Sequence, residues 1–161
     1  MELSELQEVL EYYPEYGVFR WKITPCSRRM LGDIAGCTKP DGYRILTWKR
    51  KIYYVHRLVW LFHYGTYPLG VIDHINGDKG DNRILNLRDV SISVNGQNQK
   101  KARNGNRSGF LGVSWNTESS MWVAQIGLNG KTIYLGRSND KAVASHMYME
   151  AKRKLHEGCT I

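Results

Sequence analysis

The chain has 161 residues, of which 42% are hydrophobic, so it can build one moderate core or two small ones and is too apolar for a disordered protein. Its formal net charge is +8, yet five of its 15 acidic residues lie among the first fifteen positions, where there is no lysine or arginine. The rest of the chain therefore carries 23 basic against ten acidic residues, a net +13. That balance favours a polyanionic partner, although a merely solvated basic surface would have the same composition.

Apolar runs and cysteines limit the class of protein further. The longest apolar stretch, near residues 59–62, is too short to span a bilayer, and the acidic N-terminus lacks the pattern of a signal peptide. The three cysteines, Cys26, Cys37 and Cys159, include no C-x-x-C pair, which argues against a zinc site built from cysteine pairs. We expect an intracellular protein with reduced thiols and no membrane segment, although Cys26 and Cys37 could still form a bridge.

The first predicted elements are a helix, a set of strands and a second helix. Apolar residues at helical spacing predict a short acidic helix that ends near Pro14 and Gly17: Leu3, Leu6, Val9 and Leu10. Runs at 18–23, 43–48 and 52–55 predict strands, the last two joined by a basic hairpin turn at 49–51. Residues 56–62 predict a buried helix that stops at Gly65.

Residues 71–98 contain the most informative pattern. An apolar strand ends in Asp73 and His74, a polar turn follows, a short strand returns at Asn86, and a polar helix near residue 93 carries Asn95. We expect strand, strand and helix to bring these four side chains to one side of a small platform. Adjacent side chains on a regular strand point to opposite faces, so Asp73 and His74 can serve one site only if the strand ends or twists there.

These residue types suit the hydrolysis of a phosphodiester, which needs a base for the attacking water and a cation for the developing charge. His74 can be the base at neutral pH. Asp73 and Asn95 offer oxygen ligands of the kind that Mg²⁺ prefers. Taken singly, each residue is an ordinary strand-end or turn residue. Taken together in this order, they predict a metal-dependent nuclease.

The motifs resemble the HNH endonuclease family, in particular the phage and intron homing endonucleases in which asparagine replaces the last histidine. The matching pieces fall between residues 50 and 98, at 56–60, 72–78, 82–83, 86–88, 95 and 98. The resemblance implies a ββα-metal core in which His74 is the general base and Asn86 orients it and steadies its loop. It also implies that Asp73 and Asn95 bind one Mg²⁺ or Mn²⁺ ion per active site.

Three neighbouring residues leave alternatives open. Asn82 is the weaker alternative to Asn86, and Asn98 is the weaker alternative to Asn95. His56 either faces the DNA or has a structural role, and we favour the structural one.

The composition changes at residues 100–108, which carry four positive charges and neither an acidic nor a large apolar residue. Such a segment cannot pack, so we expect a basic linker between a nuclease domain at 1–99 and a DNA-binding domain at 109–161. Its basic side chains are expected to contact DNA: Lys100, Lys101, Arg103 and Arg107.

After the linker, three strands are predicted at 110–115, 122–128 and 132–135, with a hairpin signal at Asn129-Gly130. Asp140 can cap a closing helix whose apolar residues recur at i,i+4 spacing: Val143, Met147, Ala151 and Leu155. The pattern predicts a three-stranded sheet with one helix across it.

The motifs at 109–115, 122–126 and 134–136 resemble the AP2 DNA-binding domain. This resemblance implies a sheet that enters the major groove and presents a set of polar side chains to DNA: Ser114, Asn116, Gln125, Thr132 and Tyr134. Plant members have arginines at several of these positions, and this chain does not. The alternative for the aromatic residues here is that they fill a small core: Trp115, Trp122 and Tyr134.

The sequence thus predicts a two-domain α+β protein in which a helix and β-hairpin region precede the nuclease core. It would cut double-stranded DNA, by nicking one strand as a monomer, and it would cut both strands only as a homodimer or through two sequential events. The alternative is a DNA-binding regulatory protein with an inactive core, while an RNA-binding or structural protein has only the charge in its favour. We expect a cytoplasmic location, in the host cell if a phage encodes the chain.

Overall fold

The structure is a computed structural model that describes residues 1–160, and it is a mixed α/β fold of small antiparallel sheets. Its contacts form two compact units, Met1–Ile92 and a second unit from Ser93 onward. No helix in the described residues is long and apolar enough to cross a membrane. The functional domain boundaries at residues 99 and 108 stay a prediction.

The first unit begins with α1 (Leu3–Val9), which is followed directly by β1 (Leu10–Tyr13) and β2 (Val18–Trp21). The prediction that the first helix continues to near Pro14 is wrong, because residues 10–13 form β1, in which Leu10 opposes Trp21. Leu10 is buried all the same, so its apolar character did not distinguish helix from strand.

A three-stranded sheet and a helix complete the core of this unit. The sheet has the order β3 (Cys37–Thr38), β4 (Arg44–Trp48), β5 (Lys51–Tyr54), and α2 (Val55–Tyr64) follows it. The predicted hairpin is confirmed, and its turn residues Lys49 and Arg50 have φ of 47° and 63°. Gly65 ends α2 in the left-handed conformation, as its position predicts.

Two short strands then form the sheet that carries the candidate site. They are β6 (Val71–His74) and β7 (Leu87–Val90), with a single turn of 3₁₀ helix, Ile84–Asn86, immediately before β7. Ile72 and Leu87 belong to the core of the first unit, so the core fixes this sheet from one side. The helix α3 (Ile92–Gln97) follows β7 in the chain.

The second unit contains the expected three-stranded sheet, in the order β10 (Lys131–Ser138), β9 (Met121–Leu128), β8 (Val113–Asn116), with α4 (Lys141–Leu155) packed on it. Asp140 caps α4 by accepting a hydrogen bond from the Ala142 amide at 2.7 Å.

The buried side of α4 differs from the predicted apolar stripe. Of that stripe, Met147 and Ala151 pack against the core as predicted, but Val143 and Leu155 are 45% and 39% exposed. The buried positions are Ala144, Tyr148 and Lys152 instead. On the buried side, the ring of Tyr148 packs so closely on Gly112 that a Cβ there would overlap it.

The predicted linker is attached to the second unit at both of its ends. Lys152 Nζ donates to the Gln99 carbonyl, and the buried Ser108 hydroxyl donates to the Val113 carbonyl at 2.8 Å. The expectation that no part of residues 100–108 can pack is therefore wrong for Ser108.

Candidate functional site

The site is built on the register of β6 and β7. Asp73 lies opposite Arg88, and His74, the last residue of β6, lies opposite Leu87. The chain turns immediately afterwards, because the Gly77 amide donates to the His74 carbonyl at 2.8 Å. The strand therefore ends at the Asp-His pair, which is the condition under which adjacent side chains can serve one site.

Asp73 is a buried carboxylate held by an arginine. Its Oδ2 accepts hydrogen bonds from Arg88, at 2.8 Å from Nε and 2.7 Å from Nη2. Removing Arg88 would leave a buried negative charge without this counter-ion, which is costly in a protein interior. The sequence pattern indicated no role for Arg88, because its proximity to Asp73 follows only from the strand register.

His74 is buried and is hydrogen-bonded through its ring. Its Nε2 lies 3.2 Å from Oδ1 of Asn82, which is itself fully buried and donates through Nδ2 to the Gly80 carbonyl at 3.1 Å. Since an amide oxygen only accepts, Nε2 carries the proton and Nδ1 carries the lone pair of the neutral ring. Asn82, rather than Asn86, is the asparagine that contacts the imidazole.

Electrostatics around His74 favour a neutral but basic ring. Burial lowers the pKa of His74, and the hydrogen bond with Asn82 and the carboxylates of Asp73, Asp78 and Asp81 oppose that shift. The ring is therefore unprotonated at neutral pH, while the surrounding carboxylates favour the imidazolium that proton uptake would create.

Aromatic rings from the preceding sheet and helix form the wall beside His74. The Tyr43 and His56 ring centroids lie 5.9 and 5.3 Å from that of His74, and Tyr54 packs on both Tyr43 and His56. Burial raises the pKa of the Tyr43 phenol, and the charges of Asp41, Tyr54 and Asp73 raise it further, in decreasing order. Tyr43 thus lies near both members of the Asp-His pair.

His56 is only 7% exposed, and burial lowers its pKa to about 3, with smaller contributions from His74 and Arg57. Within residues 1–160 its buried Nδ1 has no hydrogen-bond partner. His56 is therefore a neutral wall residue of the site.

Asn86 holds the loop that follows His74. Its Oδ1 accepts from the Asn76 amide at 2.9 Å, and its Nδ2 donates to the Asp81 carbonyl at 2.8 Å. The Asn86 carbonyl also accepts from the Ile75 amide at 2.9 Å. These three bonds join both ends of the loop, so Asn86 stabilises the segment on which Asn82 sits.

The N-terminal hairpin packs against the same loop. Gly17 has φ of +63°, and a Cβ there would lie 2.4 Å from the Arg83 amide nitrogen and 2.5 Å from the Asn82 carbonyl carbon. The Tyr12 hydroxyl donates to the Asn82 carbonyl at 3.4 Å. The β1–β2 turn therefore supports the backbone of the residue that contacts His74.

The remaining predicted ligand, Asn95, lies in α3 and belongs to the second unit. Its role as a ligand stays a prediction. Its alternative, Asn98, is buried and its Oδ1 accepts from the Thr160 hydroxyl at 2.5 Å. That contact gives Asn98 a structural role.

The donor chemistry suits a hard cation. No group of three or more His, Cys, Asp or Glu side chains is arranged to hold a metal in the described part of the chain. The carboxylate of Asp73 is an oxygen donor of the kind that Mg²⁺ or Mn²⁺ prefers, and such ions retain waters and accept phosphate oxygens. The predicted ligands include neither the sulfur nor the nitrogen donors of a structural zinc site.

In the second unit, a β-bulge changes which residues lie on the outer face of the sheet. Tyr134 pairs with Gln125, but beyond the irregularity Gly136 pairs with Ala124 and Arg137 with Val123. Simple alternation from Tyr134 would have put Arg137 on the helix side. Instead, Arg137 is exposed on the outer face, and the sequence did not reveal it because a bulge leaves no clear signal in one sequence.

The predicted DNA-facing residues have different surroundings. Ser114, Gln125 and Thr132 are exposed, and Tyr134 is 58% exposed. Asn116 is half-buried, and its Oδ1 accepts from the Ser119 amide and hydroxyl at 2.8 and 2.9 Å, which gives it a role in a turn.

The aromatic and basic residues of this unit also differ in exposure. Trp122 packs against the core, whereas Trp115 is exposed. The basic residues of the 100–108 segment are exposed except for one half-buried member: Lys100 (half-buried), Lys101, Arg103 and Arg107. Arg103 and Arg107 line a groove together with Ser114 and Trp115.

One comparison with known proteins gave a match. The family model described as HNH endonuclease matches residues 53–97, from β5 to the end of α3, a stretch that includes Asp73, His74, Asn86 and Asn95. No curated protein and no solved structure matches the chain. HNH nucleases generally depend on a divalent metal ion. The match, together with the geometry around His74, supports an HNH nuclease that acts on DNA.

Proposed function

We propose that this protein is a metal-dependent DNA endonuclease that nicks duplex DNA with His74 as general base, in the manner of the homing endonucleases. The observation that carries the proposal is the buried His74 ring, held through Nε2 by Asn82 at 3.2 Å beside the Asp73 carboxylate. This arrangement lies within the stretch that matches the HNH endonuclease model.

The chemistry at His74 follows from its tautomer. Because Nε2 donates to Asn82, Nδ1 is the ring nitrogen that takes a proton from the attacking water. Burial keeps the ring neutral before the reaction, and the nearby carboxylates stabilise it once it is protonated. Arg88 fixes the Asp73 carboxylate, and Asn86 holds the loop.

A single divalent cation is part of the proposal. Asp73 and Asn95 are the residues that would hold it, and we favour Mg²⁺, with Mn²⁺ as a substitute. When bound, such an ion supplies stabilisation of the charge on the phosphate and on the leaving oxygen.

We assign duplex binding mainly to the second unit, as an AP2-like sheet would imply. Residues 93–161 contain ten basic and four acidic residues, a net charge of +6. Tyr134, Gln125 and Arg137 line one groove on the sheet, together with Asn116, Glu118, Ser119 and Val123. Arginine and glutamine are the side chains that read guanine and adenine edges in the major groove.

Supercoiled plasmid tests the proposal directly. Incubation with the full chain and Mg²⁺ should yield open circles first, because one site cuts one strand, and chelation of the metal should stop the reaction. Tight DNA binding without any cleavage under either Mg²⁺ or Mn²⁺ would instead favour a regulatory protein with an inactive core.

The assignment of DNA binding has its own test. The fragment 93–161, which keeps the contacts of Gln99 and Ser108, should bind duplex DNA without cutting it. Arg137→Gln should weaken this binding about 10-fold, in line with the loss of one good base contact. Lys141→Gln, which removes an exposed charge from α4, is the matched control and should bind normally. Equal losses in both variants would mean that Arg137 contributes only charge.

A further inference from the structure

Two lysines lie over tyrosine rings of the aromatic wall beside His74, and only one of them forms an ion pair with a carboxylate. Lys39 Nζ lies 5.5 Å from the Tyr54 centroid and forms an ion pair with Asp41 Oδ2 at 2.9 Å. Lys79 Nζ lies 4.6 Å from the Tyr43 centroid and donates to the Asp41 backbone carbonyl at 3.2 Å. Within residues 1–160, Lys79 forms no ion pair with a carboxylate, so its positive charge is available to a ligand.

The backbone on either side of Lys79 is fixed by side-chain hydrogen bonds. Asn76 Oδ1 accepts from the Asp78 amide at 2.8 Å, and Asp78 Oδ1 accepts from the Gly80 amide at 2.9 Å. The stem of Lys79 packs near Gly42, where a Cβ would lie 3.6 Å from the Lys79 Cβ. The ammonium is therefore held in place before any ligand arrives, which lowers the entropy cost of binding.

Lys79 Nζ and the His74 ring both lie close to the Tyr43 ring, so they are at most about 10.5 Å apart, a span of only a few phosphates along one DNA strand. Their distances from the Tyr43 centroid are 4.6 and 5.9 Å. Phosphates of one strand follow each other about every 3.4 Å along the helix axis. A strand whose phosphodiester lies at His74 would thus bring a phosphate one to three positions away to Lys79.

We infer that Lys79 binds a phosphate of the DNA strand that flanks the bond hydrolysed at His74, and this inference rests on the proposed nuclease function. The flanking phosphate does not react, so the contact is equally strong in the ground state and in the transition state. Its loss should raise KM and leave kcat unchanged.

Three variants of the full chain test the inference. Lys79→Gln should raise KM for nicking of supercoiled plasmid about 5-fold, the equivalent of one ordinary hydrogen bond of about 1 kcal/mol. It should also reduce the slope of log affinity against log salt by about 0.9. Lys79→Arg should restore KM. The double substitution Lys39→Gln with Asp41→Asn is the matched control and should behave as wild type, because it removes both members of an ion pair and leaves the local net charge unchanged.

Three results with these variants would overturn the inference, and a fourth would refute the function on which it rests. A wild-type KM in Lys79→Gln would show that Lys79 does not contact the DNA. An equal rise in KM in the Lys39→Gln, Asp41→Asn control would show that the effect is not specific to the Lys79 charge. A fall in kcat with KM unchanged would show that Lys79 contacts the reacting phosphate and not a flanking one. Failure of the wild-type protein to nick at all would refute the proposed function instead, and equilibrium binding of the same variants to DNA would then still decide the Lys79 contact.

Discussion

A buried imidazole is a useful base only if its ring orientation and its tautomer are fixed. Two asparagines contribute to this at His74, one through the ring and one through the loop that follows it. Asn82 contacts the His74 ring, whereas Asn86 holds the loop backbone. Both residues lie in the same polar loop, and the sequence pattern favoured Asn86 for orienting the ring. Only the path of the loop, with its 3₁₀ turn at Ile84–Asn86, determines which amide reaches the imidazole.

Replacing Asn82 with alanine should slow nicking roughly 10- to 100-fold, the usual cost of losing a group that orients a functional side chain. DNA affinity should change little, since Asn82 is fully buried. Asn82→Asp keeps an acceptor oxygen and should recover part of the rate. Initial nicking rates and equilibrium DNA binding check this. A folded Asn82→Ala protein that nicks at the wild-type rate would contradict the assignment.

The two proposed metal ligands can be tested by titration with Mg²⁺. Asp73→Ala and Asn95→Ala should each raise the metal concentration needed for half-maximal nicking, since each removes one oxygen donor from a site that has few. High Mg²⁺ or Mn²⁺ should partly rescue Asn95→Ala, which loses no charge. Asn98→Ala, which loses the contact with Thr160, is the control. It should unfold more easily but give the wild-type metal curve.

At the scale of elements, strands and hairpins were predictable where alternation and turn residues agreed. The β4–β5 hairpin and the strand ending at Asp73-His74 are examples. Three features could not be predicted, because they depend on contacts between distant parts of the chain. They are the pairing of Leu10 with Trp21, the close packing of Tyr148 on Gly112, and the bulge that places Arg137 on the outer face of its sheet.

The β1–β2 turn provides a prediction at this scale. Gly17→Ala should destabilise the fold by about 1–2 kcal/mol through its positive φ, and the new Cβ should also displace the backbone of Asn82 and slow nicking. Gly32→Ala is the matched control, because Gly32 has φ of +84° and no atom of a residue beyond its chain neighbours lies within 4 Å of the place that its new methyl group would take. Thermal unfolding and nicking rates should show two destabilised proteins, of which only Gly17→Ala is slow. Equal nicking rates in both variants would show that the β1–β2 turn does not support the candidate site.

For the whole molecule, charge and candidate chemistry are divided between the two units. The first unit contains His74, Asp73 and the loop that supports them, and the second unit contains most of the exposed basic segment and the sheet with Arg137. The stretch that matches the HNH endonuclease model, residues 53–97, extends into both units.

The most direct test of the central claim compares wild type with His74→Ala on supercoiled plasmid in Mg²⁺, with equilibrium DNA binding measured in parallel. We expect the variant to bind DNA as the wild type does but to nick it roughly 10²- to 10⁴-fold more slowly, the range expected for loss of a general base. A folded His74→Ala protein that nicks at nearly the wild-type rate would contradict the claim that this histidine performs the chemistry.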